Sequence, residues 1–270
     1  MTKRQFNIRR CVMAGVTAVE SDTRHVFPRH THEEFGIGVI CRGAQKSSSS
    51  RGMVEAGRGA TITVNPGEVH DGAPIGDEGR AWRMLYFHPS LIAQAAHDVS
   101  EGKNGSYEFC WPVIDACDVG ARFQALFSAM TRRNQARATP QSEELLLDLL
   151  PDVMVDREGF DRTLTIPSSV YRAKALIDDN PAAPIALSDL AHASGLSRFQ
   201  VLRGFTRATG LTTHAYIVQR RIDLARRLIA RGCPLAEAAA ASGFADQSHM
   251  TRTFVRRFGI SPRAYADVVI

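Results

Sequence analysis

Hydrophobic positions follow two different patterns along this chain of 270 residues. From about residue 11 to residue 90 they form short runs rich in β-branched and aromatic residues, separated by Gly, Pro, Ser and charged residues. The runs are CVMAGVTAVE, FGIGVIC, ATITVN and AWRMLYF. In the last run the side chains alternate between two faces, as in a β-strand. The pattern predicts a β-rich sandwich or small barrel, and the intervening QKSSSSRG predicts a hairpin turn.

Apolar residues recur at helical spacing after these runs. Residues 121–133 and 142–155 each carry an apolar stripe, and Pro151 interrupts the second one. The second stripe is made of leucines, which either pack in the core or form a face for a second copy of the chain. Both alternatives are open from the sequence.

The chain divides into a near-neutral half and a basic half. Residues 158–167, EGFDRTLTIP, predict a linker between a domain at 1–157 and a helical domain at 168–270. The second domain has 14 Lys or Arg against 7 Asp or Glu, and 13 of those cations are arginine. Arginine makes forked contacts to phosphate and guanine. Since the whole chain carries only +5, this asymmetry indicates a DNA-binding domain joined to a sensor.

One helical pattern occurs twice in the last hundred residues. In each copy a small residue, Ala191 or Ala239, stands four positions before a glycine, Gly195 or Gly243. The glycine takes the left-handed conformation that ends one helix, and apolar residues behind it fill the angle to the next helix. This pattern is typical of a helix-turn-helix motif, whose second helix enters the DNA major groove.

The duplication predicts two recognition helices, at 198–209 and from about 246 to 258. Ser188 is the expected N-cap of the first motif, and Ser197 is the expected N-cap of its recognition helix. The side chains expected to contact DNA are Arg198, Phe199, Leu202 and Arg203, then Gln247, Ser248, His249, Thr251 and Arg252. The arginines suit guanine or phosphate, the glutamine suits adenine, and the apolar pair suits a thymine methyl group.

A helix predicted at 213–231 joins the two motifs through a steady apolar stripe. Arg221 falls on that stripe, so we expect it to be paired and half-buried rather than in contact with DNA. About 19 residues span roughly 28 Å at 1.5 Å per residue. Such a helix can hold two recognition helices about one DNA turn apart, ~34 Å.

Residues 168–267 closely resemble the DNA-binding domain of the AraC/XylS family of bacterial transcription regulators. The resemblance lies in three segments: LSDLAHASGLSRFQVLRGFTRATG, YIVQRRIDLARRLIARG and AAAASGFADQSHMTRTFVRRFGISPRAY. It implies promoter binding by a homodimer, through residues 116–157, and activation through RNA polymerase. Many members of the family have a polar residue at the position of Leu202, which makes the apolar side chain here a departure.

The first half resembles the cupin-like effector domain of the same family in RHTHEEFGIGVICRG and VNPGEVHDG. His30 and His32 are two apart, so on a strand both point to the same side, and His70 follows a Pro-Gly turn, as in metal cupins. Glu34 is closer to His32 than the carboxylate of a metal cupin is. The histidines therefore bind a metal, contact a small effector, or serve the fold alone. The further residues expected around an effector are Trp82 and Tyr86.

Together these patterns predict an effector-responsive transcription regulator that binds double-stranded DNA. The alternative is a metal-dependent cupin enzyme with an appended helical domain. No GxSxG elbow, Gly-rich phosphate loop or HExxH motif occurs. The absence of a long apolar run or apolar leader, and five cysteines without a CxxC pair, favour a cytoplasmic protein without a membrane segment. We expect no obligatory cofactor, with metal limited to the three histidines.

Overall fold

The computed structural model describes residues 6–49, 52–100, 105, 107–132, 139–156 and 167–269. It forms two compact units, residues 1–27 with 31–161 and residues 162–270 with 28–30. Of the linker predicted at 158–167, only Pro167 is among the described residues. The two-domain class, a β-rich part followed by an all-helical part, is confirmed.

The described residues of the β-rich part form three sheets. The six-stranded sheet has the order β1-β2-β9-β4-β7-β11, the four-stranded sheet has the order β3-β8-β5-β6, and β10 pairs with β12. The strands are β1 Phe6–Arg10, β2 Val16–Thr23, β3 Phe27–His30, β4 Phe35–Arg42, β5 Gln45–Ser49, β6 Gly52–Ala56, β7 Thr61–Val64, β8 His70–Pro74, β9 Arg80–Phe87, β10 Tyr107–Phe109, β11 Val113–Ile114 and β12 Met154–Asp156.

Strand β9 is the centre of the larger sheet. It pairs antiparallel with β2 from Val16↔Phe87 to Thr23↔Arg80, and with β4 from Phe35↔Phe87 onward. Leu85 and Phe87 are fully buried, as expected for a strand between two others. Both neighbours of β9 are distant in sequence, so the order of the sheet depends on crossovers rather than on hairpins alone.

A hairpin is present where QKSSSSRG predicts one, because β5 and β6 pair antiparallel up to Ser49↔Gly52, but strands take up most of the segment. Its first five residues form β5, which pairs with β6 and β8. Asp71 of β8 accepts hydrogen bonds there from one side chain and one backbone amide of β5. Ser47 Oγ donates to the Asp71 carbonyl at 2.5 Å, and the Ser48 amide donates to the Asp71 carboxylate at 2.6 Å. These cross-strand bonds replace the solvent that serine would contact in a turn.

Within the described ranges, this part has three helices: α1 Pro89–Val99, α2 Cys117–Met130 and α3 Pro140–Val153. Helix α1 was not predicted from the sequence, and α2 begins four residues before the predicted stripe, which extended to 133, a residue outside the described part. Thr139 and Ser142 form a capping box that starts α3. Pro151 does not interrupt α3, because it lies in the last turn, where only one backbone donor is lost.

The leucine stripe of α3 faces the core of its own domain. Leu146 is 3% exposed, and Leu149, Leu150 and Val153 are fully buried. They pack in one cluster with Phe123 and other side chains of α2 and the large sheet. The core interpretation of the stripe is therefore confirmed, and the stripe is not available to a second copy of the chain.

The helical part contains α4 Ser168–Asp179, α5 Leu187–Ser194, α6 Arg198–Thr209, α7 Thr213–Ala230, α8 Leu235–Ala241, α9 Gln247–Phe258 and α10 Pro262–Val269. The prediction of Ser188 as an N-cap is wrong by two residues. Helix α5 begins at Leu187, because the Asp189 carboxylate accepts the amide of Ala186 at 2.8 Å and makes that residue the N-cap. No helix among the described residues has the length and apolarity needed to cross a membrane.

Helix α7 lies in the middle of the helical part and packs against α4, α6, α8, α9 and α10. Ile222, Ala225 and Ile229 are buried as its spacing predicts. Arg221 is half-buried and donates to the carbonyls of Pro181 at 2.8 Å and Ala183 at 2.9 Å. The expected structural role of Arg221 is thus confirmed.

A buried arginine joins the two larger sheets. Arg80, at the start of β9, is 1% exposed. Its guanidinium donates to Gln45 of β5 at 2.8 Å, to the Gly72 carbonyl of β8 at 3.2 Å and to the His25 carbonyl at 3.1 Å. The same group lies 4.8 Å from the centroid of the Trp82 ring. Burial lowers the pKa of Arg80 to about 10, so the side chain stays charged at neutral pH.

We expect Arg80→Lys to lower the free energy of unfolding by about 2–4 kcal/mol, because an ammonium cannot reach three acceptors in the fork geometry. Denaturant unfolding of the full chain measures this change. Arg42→Lys is the matched control, since its ion pair with Asp22 is half exposed and should contribute about 1 kcal/mol or less. Equal losses in the two variants would contradict the role given to Arg80.

Candidate functional site

The first helix-turn-helix motif is built by local capping. Gly195 ends α5 with φ of 67°, in the left-handed region. Ser197 accepts the amide of Gln200, and the Gln200 side chain accepts the amide of Ser197 at 2.9 Å. Val201 and Phe205 are buried behind this first turn. The capping box therefore fixes the start of α6, and the Gln200 side-chain oxygen is bonded within the protein.

The outer face of α6 is apolar and cationic. Phe199 is 65% exposed and Leu202 is 40% exposed, and Arg198 and Arg203 are exposed beside them. The Arg203 guanidinium lies 5.5 Å from the centroid of the Phe199 ring, a cation–π distance. An apolar pair this exposed on a short helix indicates contact with something other than the core.

The outer face of α9 is polar. Asp246 caps the helix by accepting the amide of His249 at 2.6 Å, and Met250 and Phe254 are fully buried. Phe258 is half-buried against Phe254, with ring centroids 4.6 Å apart. The predicted side chains Gln247, Ser248, His249 and Arg252 are exposed, and Thr251 is half-buried.

The turn before α9 packs tightly on the loop that follows α4. Gly243 has φ of 80°, and a Cβ at this position would lie 2.7 Å from the Ala182 carbonyl oxygen and 2.8 Å from Ala182 Cα. The cap Asp246 is three residues after Gly243, whereas Ser197 is two residues after Gly195. The turn of the second motif is therefore one residue longer than that of the first.

The three histidines of the β-rich part come together. His30 ends β3 and His70 begins β8, which are neighbouring strands of the four-stranded sheet. One nitrogen atom from each of His30, His32 and His70 lies within 4.8 Å of the other two. The turn before His70 is tied to His32 directly, because the Gly67 amide donates to the His32 carbonyl at 2.8 Å.

Backbone carbonyls orient two of these imidazoles in the same way. Nδ1 of His30 lies 2.7 Å from the Pro28 carbonyl oxygen, and Nδ1 of His70 lies 3.0 Å from the Glu68 carbonyl oxygen. Burial lowers the pKa of His70 below its ordinary value, and the Glu68 carbonyl and the nearby carboxylates oppose this shift. The neutral imidazole is therefore the favoured form of His70 at neutral pH.

The other residues expected around an effector separate into different places. The Tyr86 ring lies 5.0 Å from the His32 ring. Trp82 is buried and packs edge-on against Phe6 and Phe27, with ring centroids 5.9 Å apart in each pair. Glu34 does not belong to the group of ligand-type side chains that the described residues form around His32.

Two spaces adjoin these residues. A cavity of about 40 Å³ inside the β-rich part is lined by His70, Glu68, Ser47 and Gln45, among others. A groove of about 750 Å³ lies between the large sheet and α2, with Trp82 in its wall. Only the groove has the volume of a site for an organic molecule of several rings or a long chain.

Residues 14–150 match the AraC-like ligand binding domain, and residues 190–267 match a helix-turn-helix domain. The first match alone covers just over half of the chain. The chain belongs to the AraC/XylS family. It is a transcriptional regulator with an N-terminal ligand-binding domain and an AraC-type DNA-binding domain.

Relatives of this AraC/XylS member agree with the assignment. The uncharacterized HTH-type transcriptional regulator YbfI of Bacillus subtilis is 26% identical over 227 residues, which are 83% of this chain and 81% of YbfI. The transcriptional activator NphR of Rhodococcus is 40% identical over 96 residues, 35% of this chain and 28% of NphR. The crystal structure of ToxT from Vibrio cholerae shares the fold, with a TM-score of 0.56, 13% identity and 99% coverage of both chains.

These relatives carry the names of regulators, so the alternative of a cupin enzyme has no support from them. In this AraC/XylS member the predicted DNA-contacting side chains of α6 and α9 are exposed or half-buried, and the three histidines lie close together.

We expect Gly243→Ala to destabilise the DNA-binding domain by about 2–4 kcal/mol, since the added Cβ meets both the strained conformation and the Ala182 backbone. Gly232→Ala is the matched control, because Gly232 has φ of 85° with no atom within 4 Å of the added Cβ. It should cost only about 1 kcal/mol, from the conformation alone. Denaturant unfolding measures the two changes in the free energy of unfolding. Equal losses in the two variants would contradict a constraint from the close approach at Gly243.

Proposed function

We propose that this AraC/XylS member is an effector-responsive activator, and not an enzyme, that reads two adjacent major-groove segments with α6 and α9. The observation that carries the proposal is the exposure of both predicted reading faces on helices that pack on one connecting helix, α7. The excess of arginine in residues 168–270 supplies the electrostatic attraction to the phosphate backbone.

The two recognition helices offer different chemistry to base edges. On α6, Phe199 and Leu202 are apolar and exposed, which suits thymine methyl groups, while Arg198 and Arg203 suit phosphate or guanine. On α9, Gln247 suits adenine and Arg252 suits guanine or phosphate, with Ser248, His249 and Thr251 beside them. The operator should therefore have one block rich in thymine and one block read by hydrogen bonds.

The effector is proposed to bind the β-rich domain. The groove beside Trp82 and the histidines with Tyr86 are the two places with suitable chemistry. ToxT, which shares the fold, has been solved with an unsaturated fatty acid bound, so an organic ligand of similar size is a reasonable first class to test. Binding would act by favouring one arrangement of the domains over another.

Homodimer formation through residues 116–157 and contact with RNA polymerase complete the proposal. A dimer would use the solvent-facing sides of α2 and α3, because the leucines of α3 are buried within the chain. The name of NphR, an activator, favours activation over repression for this chain as well.

A selection from random DNA with the purified full chain at near-physiological salt tests the function. We expect an enriched site with two blocks about one helical turn, ~34 Å, apart. The selection is repeated with candidate small molecules, since an effector can be required for binding. Failure to enrich any sequence under every condition would overturn the DNA-binding proposal.

Arginine variants show which contacts read bases. Arg203→Ala and Arg252→Ala should each weaken binding to the selected site by about 1–3 kcal/mol if the arginine reads a base. Equal weakening on unrelated DNA would mean contact with phosphate only. Arg263→Ala is the control, because Arg263 is exposed on α10, pairs with Asp267 and is not one of the predicted reading residues.

We expect replacement of thymine by uracil to weaken binding only in the block read by α6. Each methyl group packed against Phe199 or Leu202 should contribute about 0.8 kcal/mol, roughly fourfold in Kd. Leu202→Ala should reduce this sensitivity to uracil and leave that of the other block unchanged. Equal sensitivity of wild type and variant would contradict apolar reading by α6.

A further inference from the structure

The groove between the large sheet and α2 is lined by residues of one compact unit only. Its floor is formed by β2, β4 and β9, and its wall is the start of α2. The side chains of α2 that line it there are small, namely those of Cys117, Gly120 and Ala121. Further along the same helix, the larger Phe123 and Phe127 are buried in the core. Side-chain size at the start of α2 therefore leaves about 750 Å³ between helix and sheet.

Both carboxylates that line this groove are already paired with arginines. Glu20 accepts from Arg9 at 2.8 Å and from Arg83 at 3.1 Å, and Asp22 pairs with Arg42. An arginine held in this way has little freedom to follow a ligand, and a carboxylate held in this way does not attract a further cation. The floor of the groove is therefore electrostatically satisfied.

One further cation lines the groove, in the turn between β6 and β7. Arg58 is exposed there, and within the described part of the chain its guanidinium forms no ion pair. The turn itself is fixed by the next residue, because the Gly59 amide donates to the Ile40 carbonyl of β4 at 2.8 Å. The Gly59 carbonyl oxygen lies 3.0 Å from the position that a Cβ at Gly120 of α2 would occupy. A turn held against both β4 and α2 therefore carries an unpaired guanidinium at the groove.

The charges around the groove favour an anion. The groove and the partners of its carboxylates contain four arginines against two carboxylates, a net charge of +2. The nearby Asp118 does not change this balance, since it pairs with Arg122 at 2.7 Å. Apolar side chains, among them Val39, Ala81 and Ala121, contribute to the rest of the lining. A carboxylate bonds well to a guanidinium fork, and an apolar body suits the other surface.

We propose that this groove binds an organic acid with an apolar body, whose carboxylate pairs with Arg58. The apolar body lies between the sheet, at Val39 and Ala81, and the small side chains of α2. A ligand of this class is the effector of the proposed function, so its regulatory role rests on that function, whereas its binding requires no DNA.

The test is calorimetric titration of the full chain, without DNA, with decanoate, octanoate, octan-1-ol and octyltrimethylammonium. We expect decanoate to bind with Kd of about 0.1 mM or tighter, an affinity usual for a ligand of this size. Octanoate should bind roughly tenfold more weakly, because it buries two fewer CH₂ groups. The alcohol and the cation should bind at least about fivefold more weakly than octanoate, because neither forms an ion pair with a guanidinium.

The cysteines give a second measurement that locates the ligand. Cys117 is exposed and lines the groove, whereas the half-buried Cys233 belongs to the other compact unit. Decanoate at ten times its Kd should slow alkylation of Cys117 by N-ethylmaleimide about tenfold, by mass action. Alkylation of Cys233 in the same sample should not change. Mass spectrometry of the peptides measures both rates.

Two variants separate the roles of charge and space. Arg58→Gln should weaken octanoate and decanoate about fivefold or more and leave octan-1-ol unchanged, with Arg132→Gln as the control, since Arg132 is exposed after the end of α2. Ala121→Phe should block all the probes by filling the groove. Ala125→Phe is its control, because Ala125 is exposed one turn further along α2 and does not line the groove. Circular dichroism checks the fold, and if Ala121→Phe does not fold, Arg58→Gln decides the outcome.

Three results would overturn the proposal. The first is equal affinity of the wild type for octanoate and octan-1-ol. The second is binding of decanoate that Arg58→Gln leaves unchanged, which would place the carboxylate elsewhere. The third is binding of decanoate without protection of Cys117. Each of these is distinct from failure of the proposed function, which is seen when DNA selection enriches no site while decanoate still binds the groove.

Discussion

The β-rich domain depends on one buried guanidinium. Arg80 begins the central strand of the large sheet and donates to Gln45 and Gly72 on two strands of the smaller sheet. A buried guanidinium is stable only while its N–H donors have acceptors. The loss of one acceptor therefore leaves a buried donor without a hydrogen bond, which destabilises the fold. The bonds therefore fix the separation of the sheets, and with it the position of His70 at the start of β8.

The helical domain has a comparable constraint in the loop after α4. Arg221 of α7 donates to the Pro181 and Ala183 carbonyls, and Gly243 approaches Ala182 between them. One three-residue segment thus contacts both the connecting helix and the turn of the second motif. Substitution there is expected to displace α9 relative to α7 even though no residue of the recognition face changes.

Local motifs made the helical domain predictable. The start of α6 is set by the capping box of Ser197 and Gln200 and by Gly195, which ends α5. These residues are close in sequence, so their spacing alone locates α6. The error at Ser188 has the same origin, because Ser188 and Asp189 are adjacent polar residues, and only the geometry shows that the Asp189 carboxylate closes the cap at Ala186. Both recognition helices were placed correctly for this reason.

The β-rich domain was less predictable because its contacts are distant in sequence. Polar β5 has no apolar alternation, and its strand character comes from bonds to Asp71 of β8. In the sequence, Arg80 cannot be distinguished from a surface arginine, because its burial depends on how the two sheets pack. The proximity of His30 to His32 follows from their spacing, but the approach of His70 and Tyr86 depends on strand order. Sequence patterns record periodicity, whereas strand order is set by the packing of the whole domain.

The caps on α6 and α9 have a thermodynamic consequence. Both helices begin with side chains that already satisfy their first amides, Ser197 in α6 and Asp246 in α9. Their reading faces are therefore ordered before any DNA arrives, and association requires little further loss of backbone entropy. Calorimetry of the complex should accordingly show a heat-capacity change that the buried contact area explains, without the additional decrease that accompanies coupled folding.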